Sequence, residues 1–214
     1  MTEPVPPMLP AANLLIMEIR ARRGRVPHPF IVAIDGRSGA GKSTLATQVA
    51  RGMDAALVTT DDFFSADITD QGWTERTPEQ RAADVLDWRR LRTEALEPLR
   101  LGNPARWHAL DFLAGARSDG TYGMRAEPME LQPKPVVIID GAYSSRPELA
   151  DLLDFTVLVE AAEPVRRARL AARENPELLT AWHERWDGAE EHYFAHVRPT
   201  ASFHLVVNNR DRKG

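Results

Sequence analysis

The sequence predicts a three-layer α/β fold, in which a mostly parallel sheet is covered by helices on both faces. Three observations carry this. Short continuous apolar runs at Pro135–Ile139, Phe30–Ile34 and Phe155–Val159 read as strands buried on both sides. Stretches of helical spacing alternate with them, which is the pattern of βαβ units. The chain has 214 residues, 43% hydrophobic and 27% charged, enough for one domain with a substantial core.

The elements follow in order. The first ten residues hold four prolines and read as an arm. Ala11–Arg23 spaces Leu14, Leu15, Ile16 and Ile19 before Arg20, Arg22 and Arg23, so a short helix ends in the cations its dipole favours. Gly24, Pro27 and Pro29 stop it. Residues 1–29 are thus an N-terminal arm and helix, and 30–210 the main domain. After the Phe30–Ile34 strand and a Gly-rich turn, Ser43–Met53 is helical by Leu45, Val49 and Met53. Ala55–Thr59 is a second strand, ending at Thr60-Asp61-Asp62-Phe63-Phe64. The polar stretch Ser65–Pro78 reads as a loop, and Glu79–Leu101 as one helix ended by Gly102 and Pro104. Ala105–Glu130 suits a hairpin or a substrate loop. Pro164 opens a helix over Val165–Glu174. Leu178–Phe194 is a further helix, and Phe203–Val207 the closing strand.

Composition narrows the chemistry. Without cysteine there is no disulfide and no thiolate metal site. A formal net charge of -4 leaves no excess cation for a nucleic-acid backbone. No apolar run reaches the roughly 20 residues a membrane span needs. The expectation is a cytoplasmic protein acting on a small molecule, with homo-oligomerisation left open.

The strongest motif is Gly36-Arg37-Ser38-Gly39-Ala40-Gly41-Lys42-Ser43, which fits G-x-x-x-x-G-K-[ST] between a strand and a helix. Glycines let backbone N–H groups turn inward around an anion without a clashing Cβ. The following helix presents its positive end to phosphate. The candidate nucleotide-binding set is therefore Gly36, Ser38, Gly39, Ala40, Gly41, Lys42, Ser43 and Thr44. Lys42 reaches the outer phosphates, and the Ser43 hydroxyl ligates Mg²⁺. ATP and Mg²⁺ are the expected cofactors, and the fold expected is that of the P-loop NTPases with a helical lid at about 163–176.

Phosphoryl transfer also needs carboxylates, one for the metal shell and one for the acceptor's hydroxyl proton. Asp61, Asp62 and Asp140 end predicted parallel strands, the edge where open α/β sheets bind ligands. Asp61 and Asp140 are candidate metal ligands with Ser43. Of the adjacent Asp61 and Asp62, one should face the site while the other caps or pairs. Arg166, Arg169 and Arg173 share a helical face and could neutralise a transferred phosphoryl group. For the acceptor, the candidates are Asp62, Phe64, His108, Tyr143 and Trp186. Trp182, Trp186, Ala189 and Tyr193 form a helical stripe that is more simply read as core packing.

These elements, in order from about Phe30 to Val207, resemble the uridine kinase and phosphoribulokinase branch of P-loop kinases. The resemblance implies Asp61 as general base, since Thr60-Asp61-Asp62-Phe63-Phe64 is similar to that family's strand-end motif. Val136–Gly141 resembles its third strand, with Asp140 where Glu is usual. Arg166, Arg169 and Arg173 match its lid pattern, which implies roles for Arg169 and Arg173 in catalysis and Arg166 at the nucleotide. The chain departs from the family at Leu110-Asp111-Phe112-Leu113-Ala114-Gly115. Leu110 and Gly115 stand where uridine kinases place a Tyr and a His against the pyrimidine. A nucleoside or nucleoside-like acceptor is expected, and another alcohol (a sugar, a pantothenate-like metabolite or an antibiotic) is the alternative. A nucleotide-hydrolysing switch is less favoured, because Asn208-Asn209-Arg210-Asp211 lacks the Lys of a guanine-reading motif.

Overall fold

The computed structural model describes residues 8–24, 26–173 and 185–209, with only the backbone at Arg173. The expected positions Glu174, Trp182, Arg210 and Asp211, with the far end of the lid, lie outside the described residues.

A five-stranded parallel sheet forms the centre, with β1 (Phe30–Asp35), β2 (Ala56–Thr59), β5 (Val136–Asp140), β6 (Phe155–Glu160) and β7 (Leu205–Asn208). Their spatial order is β2-β5-β1-β6-β7. β1 is paired on both sides, Ile34 with Asp140 of β5 and with Val157 of β6. Every residue of β1 and β5 is buried. This is why neither shows alternation in the sequence. The remaining two strands, β3 (Ala105–Trp107) and β4 (Met129–Leu131), pair as an antiparallel hairpin apart from the main sheet.

Two cores flank the sheet. On one side α1 (Pro10–Arg23) buries Ala12, Leu15, Ile16 and Ile19 in the same core as Leu45, Ala46 and Val49 of α2 (Lys42–Met53). On the other, Phe63, Trp73, Leu91, Leu96, Leu99, Trp107, Trp186 and Tyr193 cluster over Ile31, Val137 and Ile139. The N-terminal helix thus closes one core layer. Among the described residues no helix is long and apolar enough to cross a membrane.

Two local expectations are corrected. The polar stretch after Ser65 contains a helix, α3 (Asp70–Glu75), whose N-terminus is capped by the Thr69 hydroxyl accepting from the Gly72 N–H. The single helix expected over 79–101 is broken into α4 (Pro78–Asp84) and α5 (Trp88–Arg90), the latter continuing through a π-helical segment, Leu91–Leu96, into α6 (Glu97–Arg100). The break lies at residues 85–87, whose backbone turns aside to bond residues 63–65. The Ser65 N–H donates to the Val85 carbonyl (3.0 Å), and the Asp87 N–H to the Phe63 carbonyl (2.8 Å). Asp87 then restarts the helix by accepting from the Arg90 N–H. The diversion sets Val85 and Leu86 beside the strand-end motif.

α7 (Glu163–Arg173) follows β6, as expected from Pro164. Of the helix expected over 178–194, residues 178–184 lie outside the described residues; 185–192 are helical and pass into a π-helical turn at Tyr193–Val197.

Candidate active site

The loop after β1 is shaped by close approaches. Gly39 (φ +76°) and Gly41 (φ +93°) adopt left-handed backbone, and a Cβ at Gly39 would lie 2.6 Å from the Arg166 carbonyl oxygen. Only glycine fits there. Gly41 precedes α2, so the first helical residues Lys42, Ser43 and Thr44 offer their N–H groups at the positive helix end. Lys42 is 8% exposed, and its ammonium donates to the Arg37 carbonyl (3.1 Å).

Neighbouring side chains hold the loop's carbonyls outward. Arg166 donates to the Ser38 carbonyl (3.0 Å), and Arg169 to those of Gly39 (3.2 Å) and Ala40 (3.1 Å). Asn209, just past β7, donates to Ala40 as well (2.8 Å). With these carbonyls bound outside, the remaining N–H groups of the loop and of the first turn of α2 are left to face the anion site, those of Gly36, Ser38 and Ala40 being bonded within the protein.

Beneath the loop lies a carboxylate that sequence reasoning did not single out. Asp35, fully buried at the end of β1, accepts from the N–H groups of Gly36 (2.7 Å), Tyr143 (3.0 Å) and Ser145 (3.0 Å). It also accepts from the hydroxyls of Ser145 (2.6 Å) and Tyr193 (2.9 Å). One side chain thus ties the phosphate loop, the segment after β5 and the last helix together. Asp35→Ala would strand these donors in the interior. It is expected to cost at least about 3 kcal/mol, since each buried unmatched donor costs roughly 1–3 kcal/mol. Urea unfolding of the variant measures it.

The three carboxylates after β2 and β5 are placed differently. Asp61 is exposed and lines the same cavity as the loop. Asp62 turns away and accepts from the Trp107 indole N–H (2.9 Å), with burial raising its carboxyl above the ordinary range. One of the pair faces the site and the other pairs. Asp140 is buried (5% exposed), and burial raises its carboxyl too, partly offset by the nearby Ser43 hydroxyl and by the charge of Lys42. Its Oδ1 is buried without a partner among the described residues.

A cavity of about 420 Å³ joins these groups. Its lining includes Ser38, Gly39, Gly41, Lys42, Ser43 and Thr44 of the loop and first turn, Arg169, the carboxylates of Asp61 and Asp140, and the rings of Phe64, Phe112, Tyr143 and Trp186, with Val85 and Leu86. The rings brace one another: Phe64 meets Trp186 edge-on (5.6 Å between centroids) and Phe112 at 6.2 Å, and Trp186 meets Trp73 at 4.9 Å. Trp186 belongs both to the core and to this wall. Tyr143 holds a left-handed backbone (φ +65°).

The structure therefore gathers Ser38, Lys42, Ser43, Asp61, Phe64, Asp140, Tyr143, Arg169 and Trp186 into one cavity. Gly36, Ala40 and Arg166 frame the loop. Asp62 and His108 are not in the cavity wall; His108 is exposed, its Nδ1 on the Arg125 carbonyl (2.8 Å). Besides Asp35, sequence reasoning missed Glu190, which lines the cavity, and Asn209 as a prop of the loop. The only sequence signal for Glu190 was its position on the Trp186–Tyr193 face, at i+4 from Trp186.

The sheet order, the loop and the flanking helices define the fold of the P-loop kinases. Within that class the resemblance to uridine kinases holds. The chain is 27% identical to the uridine kinase of Leuconostoc citreum (strain KM20) over 199 residues, 86% of this chain and 84% of that one. Among solved structures it is similar to a possible uridine kinase from Bacillus stearothermophilus, with a TM-score of 0.68, 17% identity and coverage of 92% and 97% of the two chains. It is also similar to the D-glycerate 3-kinase of Cryptococcus neoformans, with a TM-score of 0.61, 13% identity and coverage of 94% and 96%. No family model matches the chain.

Proposed function

We propose that the protein is a kinase that uses ATP and Mg²⁺ to phosphorylate a hydroxyl of a small molecule, a nucleoside or nucleoside-like compound. The observation that carries this is the one cavity that Asp61 shares with the phosphate loop and with a set of aromatic rings. The loop end suits a triphosphate, and the ring-lined end suits a flat acceptor. In this reading Asp61 takes the acceptor's hydroxyl proton as its oxygen attacks the terminal phosphorus, whose bond to the β–γ bridging oxygen breaks to release ADP. The loop N–H groups, Lys42 and the lid arginines stabilise the charge spread over the transferred group, so catalysis is mainly positioning and electrostatics. The lid, expected at about 163–176, begins with α7, whose Arg166 and Arg169 already touch the loop.

The residues present fit a magnesium ion. Mg²⁺ prefers one or two protein oxygens and leaves its other positions to water and phosphate. Among the described residues no group of three or more His, Cys, Asp or Glu is arranged to hold a metal. Ser43 with the unpartnered Oδ1 of Asp140 is instead the sparse oxygen set this ion takes. There the metal would neutralise charge between the two outer phosphates.

The test is ADP release with Mg²⁺, ATP and a panel of nucleosides, sugars and other alcohols. Stimulation by one acceptor class supports a kinase, and a rate indifferent to all of them overturns it. Asp140→Asn gives a second test. Because burial raises the Asp140 carboxyl, its ionised form costs stability at neutral pH, a cost that disappears as pH falls through the raised value. Without nucleotide, Asp140→Asn is expected to melt at or above the wild-type temperature at pH 7. The extra stabilisation that Mg²⁺ adds to ATP-bound wild-type protein should be lost. Thermal melts with ATP, with and without Mg²⁺, measure this.

A further inference from the structure

Glu190 is 3% exposed, yet it lines the cavity beside Trp186 and Tyr143. Its Oε1 accepts from both the N–H (2.9 Å) and the hydroxyl (2.6 Å) of Ser38. Its Oε2 accepts no hydrogen bond among the described residues. Ser38 thus fixes the carboxylate's orientation and leaves one oxygen to the cavity. The hydroxyl of Tyr143, which lines the same cavity, is buried without a partner among the described residues. Both cations in the described wall, Lys42 and Arg169, are bonded to loop carbonyls at the phosphate end. An acceptor oxygen with no donor from the described residues takes a hydrogen-bond donor from whatever fills the space, and its charge repels an anion.

We propose that Glu190 is a specificity-determining residue of the acceptor subsite, selecting uncharged alcohols that carry a further hydroxyl or N–H donor and rejecting carboxylate-bearing ones. This rests on the kinase reading above and divides the alternatives it left open. Nucleosides and neutral polyols fit, whereas acceptors such as pantothenate or glycerate do not.

The experiment compares matched pairs of alcohols differing by a carboxylate: uridine with orotidine, pantothenol with pantothenate, and glycerol with D-glycerate. Each is offered to wild type and Glu190→Gln with ATP and Mg²⁺, and binding of the ATP analogue AMP-PNP is measured separately by calorimetry. Glutamine keeps an oxygen for Ser38 but removes the charge. Wild type is expected to prefer the neutral member of any pair it uses by at least about tenfold in kcat/KM. In Glu190→Gln that preference should fall to about threefold or less through the acceptor's KM, with AMP-PNP affinity unchanged. Wild-type preference for a carboxylate, discrimination undiminished in Glu190→Gln, or no turnover of any of the six compounds by nucleotide-binding protein overturns the inference. The wild-type comparison stands even if the variant does not fold. Loss of AMP-PNP binding by wild type would instead overturn the kinase reading beneath it.

Discussion

Asp61→Asn is expected to lower kcat by about 10²- to 10⁴-fold, the range that a positioned general base supplies. The structure sets the two carboxylates in different surroundings. Asp61 is exposed to the cavity shared with the phosphate loop, while the Asp62 carboxylate is engaged by Trp107. Asparagine keeps the size and polarity of the side chain but cannot take a proton from an alcohol. Acceptor and nucleotide should therefore still bind, and the loss should fall on kcat rather than on either KM. Steady-state kinetics with the acceptor found by the panel checks it. Asp62→Asn is the informative companion. It keeps an oxygen for the Trp107 N–H and is not itself part of the cavity wall, so it should retain most of the activity. Equal collapse of both variants, or full activity in Asp61→Asn, would remove Asp61 from the chemistry.

The legible and illegible parts of the molecule differ in the range of the interactions that define them. Phe30–Asp35, the phosphate loop and Lys42–Met53 were readable because a buried parallel strand, a glycine turn and an amphipathic helix each leave a local pattern. The Asp61-Asp62 pair was readable as a division of labour, but which partner took the second carboxylate depended on Trp107, 45 residues away. Asp35 and Glu190 left almost no local trace. Asp35 meets Ser145 across 110 residues and Tyr193 across 158, and Glu190 meets Ser38 across 152. An acidic residue at the end of an apolar strand, or beside a second acid on a helix, looks solvated until the chain closes around it. The break in the helix expected after Glu79 has a similar origin. Val85 and Leu86 continue a helical apolar pattern, and only pairing with residues 63–65 draws that backbone out of the helix. The same diversion carries Val85 and Leu86 into the cavity wall. An error in local structure was therefore also an omission at the site.

Lys42→Ala should lower kcat by about 10²- to 10³-fold, as expected for removing a preorganised charge from a developing anion, and should also weaken ATP. What makes the variant interpretable is how little else Lys42 does. Its ammonium donates to a single loop carbonyl, that of Arg37. The loop's shape is held by the Asp35 network and by Arg166, Arg169 and Asn209 on its outer carbonyls. These supports stay in place when the ammonium is removed, so the unfolding midpoint should move little. Lys42→Arg separates charge from shape. The guanidinium keeps the charge but is larger and planar, and the loop closes around a slender ammonium stem that is 8% exposed. Arginine is thus expected to restore little of the rate, although it restores the charge. Recovery to within a few-fold of wild type would show that a cation anywhere near the loop suffices, and that the geometry of this cradle is not what presents the phosphate to the acceptor.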